Sequence, residues 1–296
     1  MTGGFDWIAL AEYSLIGLLS GGLLALIALG FVLIYKGTGV INFAMGEFMM
    51  LGAYFFYTAN VMWQWPIWTA LPATLAAVAL VAGLIERTLL RPLSGQPVIS
   101  VLMATIGLAS ALHGGVDAVW GGKNYEMPAL LSRKPFIVGD IFIPGQVVWS
   151  FLLAAVVITG FTLYFRFSKT GIAMRAAASD PLTAYVLGID VRRTQALTWM
   201  FAGMVGAVAG IVVASMTSLS PALGGAALGV LAVIILGGLD SIAGAIVAGL
   251  VVGLIESLTA AYLGGKVRDI VPYAVVLVIL LIRPYGLFGT RRIERL

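Results

Sequence analysis

Uncharged runs set the pattern of this chain. Tyr13 to Tyr35 contains no Asp, Glu, Lys or Arg. Coiled as an α-helix it would be about 34 Å long, enough to cross a bilayer core that takes about 20 apolar residues. The next uncharged run, Phe48 to Ile85, is too long for one crossing. The break at Trp63-Gln64-Trp65-Pro66 divides it, and the two indoles suit a membrane interface. Further apolar stretches lie near 97–119, 147–165, 194–216, 226–239, 242–262 and 270–288. The total is about eight or nine spans, with 226–239 short enough to be re-entrant. Each should be a helix, because hydrocarbon offers no partner to an open sheet edge. The pattern therefore predicts an all-α polytopic membrane protein with one transmembrane domain over 1–296. Its longest connections are 120–146 and 166–193.

Composition agrees and narrows the class. Apolar residues make up 61 % of 296 residues, cysteine is absent, and the only charges are 17 Lys/Arg and 13 Asp/Glu. With glycine included, the apolar share is about 73 %, against about 45–50 % in soluble domains. A cytosolic enzyme, a disulfide-stapled secreted domain and a disordered chain are excluded. The basic balance carries no clustered face of the kind nucleic acid needs; its partner is the lipid bilayer. Asp6 and Glu12 precede the first span with no basic residue, so no cleavable signal is expected.

Loop cations fix the expected orientation. With the N-terminus outside, the inner loops hold Lys36, Arg87, Arg91, Arg166, Lys169, Arg175, Arg192, Arg193, Arg283, Arg291, Arg292 and Arg295. The outer loops hold only Lys123, Arg133, Lys134, Lys266 and Arg268. The C-terminus is then inside. Glycines spaced four apart at Gly17/Gly21, Gly206/Gly210, Gly225/Gly229 and Gly249/Gly253 predict close helix packing.

No catalytic or metal constellation is present. The single histidine, His113, cannot build a multi-His site, and no phosphate-binding G-x-x-x-x-G-K-[ST] loop occurs. Few polar residues reach membrane depth, and each is a functional candidate. Asn42 and Glu47 bracket a stretch that follows the Lys36-Gly37-Thr38-Gly39 break. His113 and Asp117 share one helix face, close to the 120–146 loop. Asp240, beside Gly238 at a hairpin tip, and Glu256 are read either as hydrogen-bond anchors or as pathway groups. Glycine-interrupted hairpins near 36–47 and 237–244 suggest that both tips approach a pathway. In the basic loop, Asp180-Pro181 places an N-cap before a proline at the first helical position, and Gly188 closes the segment. A helix of under two turns between them would not stand alone, so it should either dock on another protein or lie on the membrane as an amphipathic turn.

Five stretches together resemble the permease subunits of branched-chain amino acid ABC importers. They are Gly22–Gly30 running into Ile41-Asn42-Phe43-Ala44-Met45-Gly46-Glu47; Glu86-Arg87 with Arg91-Pro92-Leu93 and Ala104-Thr105-Ile106-Gly107; the loop with Arg175-Ala176 and Leu187-Gly188-Ile189; Gly237-Gly238 with Ser241; and Arg283–Gly289. The resemblance implies a non-catalytic subunit that binds no cofactor. Its partners would be two ABC ATPase subunits carrying ATP and Mg, a second permease (a sister chain or an identical copy) and a periplasmic solute-binding protein. It implies a bacterial inner-membrane location. The segment holding Arg175, Asp180, Pro181, Leu182, Ala184, Leu187 and Gly188 becomes the coupling region, and Asn42, Met45, Glu47, Thr105, Gly238 and Asp240 become pathway candidates. Many relatives have His or Gln at the position of Met45 and Gly at that of Asp240. A thioether lining would favour an apolar substrate side chain. Relatives also carry urea, short amides or aromatic acids, so the substrate stays open, as does an ATP-independent transporter or channel.

Overall fold

The computed structural model describes residues 6–93, 95–268 and 270–289. Arg291, Arg292 and Arg295, which contribute to the expected charge asymmetry, lie outside them.

Among the described residues, six helical segments are long and apolar enough to cross a membrane: 7–38, 67–93, 98–120, 145–167, 191–216 and 242–262. They comprise α1 (Trp7–Thr38), α3 (Ile67–Ile85, extended by turns to Leu93), α4 (Val98–Trp120), α5 (Gly145–Phe167), α8 (Val191–Met216) and α11 (Ile242–Tyr262). The other expected spans are shorter pieces. Helix α2 (Met45–Tyr57) continues only through a wide turn over Thr58–Met62 before the tryptophan break. The 226–239 span is α9 (Leu223–Ala226), a tight turn over Ala227–Val230 and α10 (Leu231–Gly237). The 270–288 span shortens to α13 (Val271–Ile282). After Pro284 the chain folds back, and the Leu287 and Phe288 N–H groups donate to the Leu236 and Gly237 carbonyls. Among the described residues the chain is multi-pass and all-α, with strands in the 120–146 loop alone. There β1 (Phe136–Val138) and β2 (Ile141–Ile143) form a small antiparallel hairpin.

The chain divides into two compact units. One contains the described residues up to Ala28, 129–156 and the described residues from Val230. In it, two of the expected glycine pairs meet each other. A Cβ at Gly17 would lie 2.8 Å from the Gly253 carbonyl oxygen, and one at Gly21 would lie 2.5 Å from that of Gly249. Backbones of α1 and α11 therefore touch, which maximises dispersion contact where lipid supplies no hydrophobic drive. Ser257 Oγ donates to the Tyr13 carbonyl at 2.7 Å beside this seam.

The second unit contains Leu29–Pro128 and Val157–Gly229. Its centre is α2. Phe48, Met49, Met50, Tyr54 and Phe56 are fully buried there, as expected of a helix apolar on every side. Helix α8 packs along it through Gly206 and Gly210: a Cβ at Gly206 would lie 2.6 Å from Met45 Cε, and one at Gly210 would fall on the Met49 carbonyl. The pair Gly225/Gly229 behaves differently from expectation. Among the described residues, neither has a neighbour within 4 Å of an added Cβ, so this spacing marks an open surface there.

Candidate functional site

The site grows from the break between α1 and α2. Gly39, at φ 73°, turns the chain out of α1, and Thr38 Oγ1 donates to the Ile34 carbonyl at 2.8 Å. Asn42 Oδ1 accepts the Ala44 N–H at 2.9 Å, and the Phe43 N–H donates to Thr105 Oγ1 on α4 at 3.3 Å. Asn42 and Thr105, both expected as pathway residues, thus meet at one turn and hold it.

That turn places Glu47 in the first turn of α2, where the helix dipole favours a carboxylate. Glu47 is only 8 % exposed. Its Oε2 lies 3.6 Å from His113 Nδ1, and His113 Nε2 lies 3.8 Å from Asp117 Oδ2. Both separations exceed hydrogen-bond length. Glu47 Oε2 and Asp117 Oδ1 accept no hydrogen bond from the described residues. A Cβ at Gly224 would lie 2.6 Å from Glu47 Oε1, so a side chain there would displace the carboxylate. Among the described residues, no three acidic, His or Cys side chains are placed to hold a metal ion.

Glu47 and His113 open onto a cavity of about 470 Å³, with Ser110 as its other polar side chain and Phe43, Ile106 and Leu228 on its apolar wall. A second cavity, of about 250 Å³, is lined by Asn42, Thr105, Gln195, Trp199 and the Glu86–Arg91 pair. Arg91 Nη2 donates to Glu86 Oε2 at 2.9 Å. Asn42 Nδ2 is buried without an acceptor among the described residues. Helix α4 lines both cavities, with Val98, Val101 and Thr105 on the smaller and Ile106, His113 and Gly114 on the larger. From Val98 to Gly114 this helix rises about 24 Å, most of a hydrocarbon core.

The other expected pathway residues sit elsewhere. Met45 is fully buried, with its thioether against Gly30 and Gly206, and lines neither cavity. Gly238, at φ 101°, lies in the other unit. A Cβ there would lie 2.5 Å from the Gly289 nitrogen, so it serves the fold-back of the C-terminal segment. Asp240 follows it at a half-buried turn, before Ser241 caps α11.

The expected coupling region is a tight corner. Ser168 caps α6 (Lys169–Ser179), and Arg175 Nη1 donates to the Phe165 and Arg166 carbonyls at 2.6 and 3.1 Å, closing the end of α5. Asp180 caps α7 (Pro181–Val186) by accepting the Leu182 and Thr183 N–H groups. The Thr183 hydroxyl, and then these N–H groups, hold the Asp180 carboxyl below its ordinary range. Gly188, at φ 82°, ends the corner. Ala184 is buried against the corner, while Leu182 is 75 % and Val186 77 % exposed. Tyr185 and Leu187 stand out beside them.

Sequence reasoning pairs His113 with Asp117 along one helix and leaves Glu47 apart. The contact between Glu47 and His113 joins two helices distant in sequence, and its only signal is that both are ionisable residues within otherwise uncharged runs. The Glu86–Arg91 pair and the Gln195 and Trp199 wall carry no such signal.

Comparison with known proteins points one way. The family model for the permease component of the branched-chain amino acid transport system matches residues 13–280. The high-affinity branched-chain amino acid transport system permease protein LivH of Salmonella typhimurium is 31 % identical over 296 residues, covering 94 % of this chain and 95 % of that protein. BraD of Pseudomonas aeruginosa, of the same description, is 31 % identical over 294 residues, with 94 % and 95 % covered. A probable LivH of Methanocaldococcus jannaschii is 30 % identical over 292 residues, covering 93 % and 91 %.

Proposed function

Because this chain belongs to the branched-chain amino acid transport permease family, we propose that it is a membrane subunit of an ATP-driven importer of branched-chain amino acids. It performs no chemistry itself. Two ATPase subunits hydrolyse ATP with Mg, a second permease completes the pathway, and a periplasmic binding protein delivers the solute. The N-terminus faces the periplasm and the C-terminus the cytoplasm, in a bacterial inner membrane. Relatives with that printed role support the substrate class, and the loop cations support the orientation.

The observation that carries the coupling role is α7. Its apolar residues Leu182, Tyr185, Val186 and Leu187 project from a capped corner built on α6 and α8, while Ala184 fastens it beneath. Six residues have no helical stability of their own, yet this helix is capped by Asp180, ended by Gly188 and carries an apolar face outward. Such a knob suits a groove on an ATPase and transmits its motion to α6 and α8. The route for solute runs along α4, past Asn42, Thr105 and Glu47.

The test is reconstitution. The chain should co-purify with two ATPase subunits, and proteoliposomes should accumulate leucine only with ATP and binding protein. Accumulation that persists without ATPase subunits would replace this reading with an ATP-independent transporter.

A further inference from the structure

The hairpin in the 120–146 loop wears its apolar side chains on the outside. Ile137 stands opposite Phe142, while Phe136 and Val138 stand opposite Ile143 and Ile141. Opposed residues share one face of a ladder, so Ile137 and Phe142 project together and the other two pairs lie on the reverse. That reverse face is turned to α5: Ile143 is buried, and the Phe136 ring lies 6.4 Å from that of Trp149. The Ile137 and Phe142 side chains are 69 % and 49 % exposed. A two-stranded hairpin is marginal in water at best, and a bare apolar pair gives this one reason to be covered.

Two spanning helices set its level. The Phe142 N–H donates to Glu12 Oε2 at 3.0 Å, and Glu12 is the last charge before the uncharged run Tyr13 to Tyr35 of α1. The chain entering β1 lies against Gly145, the first residue of α5, where a Cβ would fall on the Lys134 carbonyl. Helix α5 is about 34 Å long, little more than a hydrocarbon core, so Gly145 stands at the edge of that core. Trp149, Leu152 and Val156 follow at helical spacing as one exposed face of α5. Phe136 joins the Trp149 end of this stripe, which makes the hairpin continuous with the surface of a membrane-crossing helix.

We propose that the hairpin is a membrane-interface anchor: Ile137 and Phe142 dip together into the lipid leaflet at which α1 and α5 begin. Arg133 and Lys134, both exposed, lie at headgroup level, where their long stems reach along apolar surface and their charges meet phosphates. The ladder stays at the boundary, because its outer-edge peptide groups need partners that hydrocarbon lacks. The occupant is lipid and not a soluble protein, since Glu12 and Gly145 hold the pair at the level of the bilayer. Naming this leaflet periplasmic rests on the proposed orientation; the immersion itself does not.

The natural chain has no cysteine, so Ile137→Cys, Leu152→Cys and Lys123→Cys each give the full chain one site for a nitroxide. The labelled chains are placed in nanodiscs of phosphatidylethanolamine and phosphatidylglycerol, with both faces open to solution. Collisions with oxygen, which concentrates in acyl chains, and with a water-soluble nickel chelate report depth. The label at 137 should favour oxygen as that at 152 does, at a depth of about 5–10 Å into the headgroup and acyl boundary, while the label at 123 favours the chelate. Phe142→Asp in the Ile137→Cys chain should lift the label toward the reading at 123. Chelate collisions at 137 equal to those at 123 would put the pair in water and overturn the anchor. Few collisions with either reagent would mean that protein covers it, and would overturn the anchor equally. A depth unchanged by Phe142→Asp would overturn the joint immersion of the pair.

Discussion

Arg91 grips Glu86 through two nitrogens of its guanidinium, Nη2 to Oε2 at 2.9 Å and Nε to Oε1 at 3.4 Å. Residues five apart on an ordinary helix point in different directions. Here the turn over Glu86–Leu90 is widened, with the Arg91 N–H bonded to the Glu86 carbonyl, and one face carries both. Glu86 is almost wholly buried, so Arg91→Ala would strand its charge. The expected loss is about 3 kcal/mol, read as a fall in the thermal midpoint of the detergent-solubilised chain. Arg91→Lys should fall between, because an ammonium keeps the charge but not the fork. Glu86→Gln combined with Arg91→Gln should recover part of the loss.

The glycines sort by what surrounds them. Gly210→Ala would drive a methyl into the Met49 carbonyl, and overpacking of this kind costs about 1–3 kcal/mol. Gly160→Ala meets nothing within 4 Å among the described residues and should be neutral or gain up to about 1 kcal/mol from helix propensity. Thermal unfolding of the two variants side by side checks the contrast. Equal effects would mean that α2 and α8 do not touch through Gly210.

Replacing Leu182 or Val186 by Asp should leave the fold intact, since both side chains are exposed and such changes usually stay within about 0.5 kcal/mol. Co-purification of ATPase subunits and ATP-dependent uptake should fall to background. Retained uptake in both variants would remove α7 from the coupling path.

Asp180 gives the corner a pH dependence of known sign. Its carboxyl is held below the ordinary range by the Thr183 hydroxyl and by N–H groups of α7. Its contribution to holding the helix is therefore complete above the ordinary value and is lost as pH falls through the lowered one. Hydrogen exchange across 180–190 should accelerate on acidification in the wild type, after correction for intrinsic rates. Asp180→Asn, which keeps an acceptor but does not titrate, should show no such step.

The sequence by itself determined the class. Uncharged runs the length of a bilayer impose helices, because no other backbone satisfies its hydrogen bonds in hydrocarbon. The Asp180-Pro181 cap and the Gly188 stop are local chemistry, and both stand where the sequence puts them. The Gly17/Gly21 and Gly249/Gly253 pairs were legible as close-packing positions, though not that they would face each other.

Only tertiary structure decided the rest. Glycine spacing at Gly225/Gly229 looks the same as at Gly206/Gly210, but only the second pair has a neighbour. Met45 lies in a polar motif and yet fills the gap between Gly30 and Gly206. Glu47 and His113 stand on different helices with nothing in their local sequence to link them. Periodicity and caps are written within a few residues of chain, whereas a cavity is made by side chains from distant segments and by the glycines that let those segments close. For that reason the sequence supplied the helices and the short list of ionisable residues, and the packing of α2 and α4 decided that Glu47 and His113 share one wall.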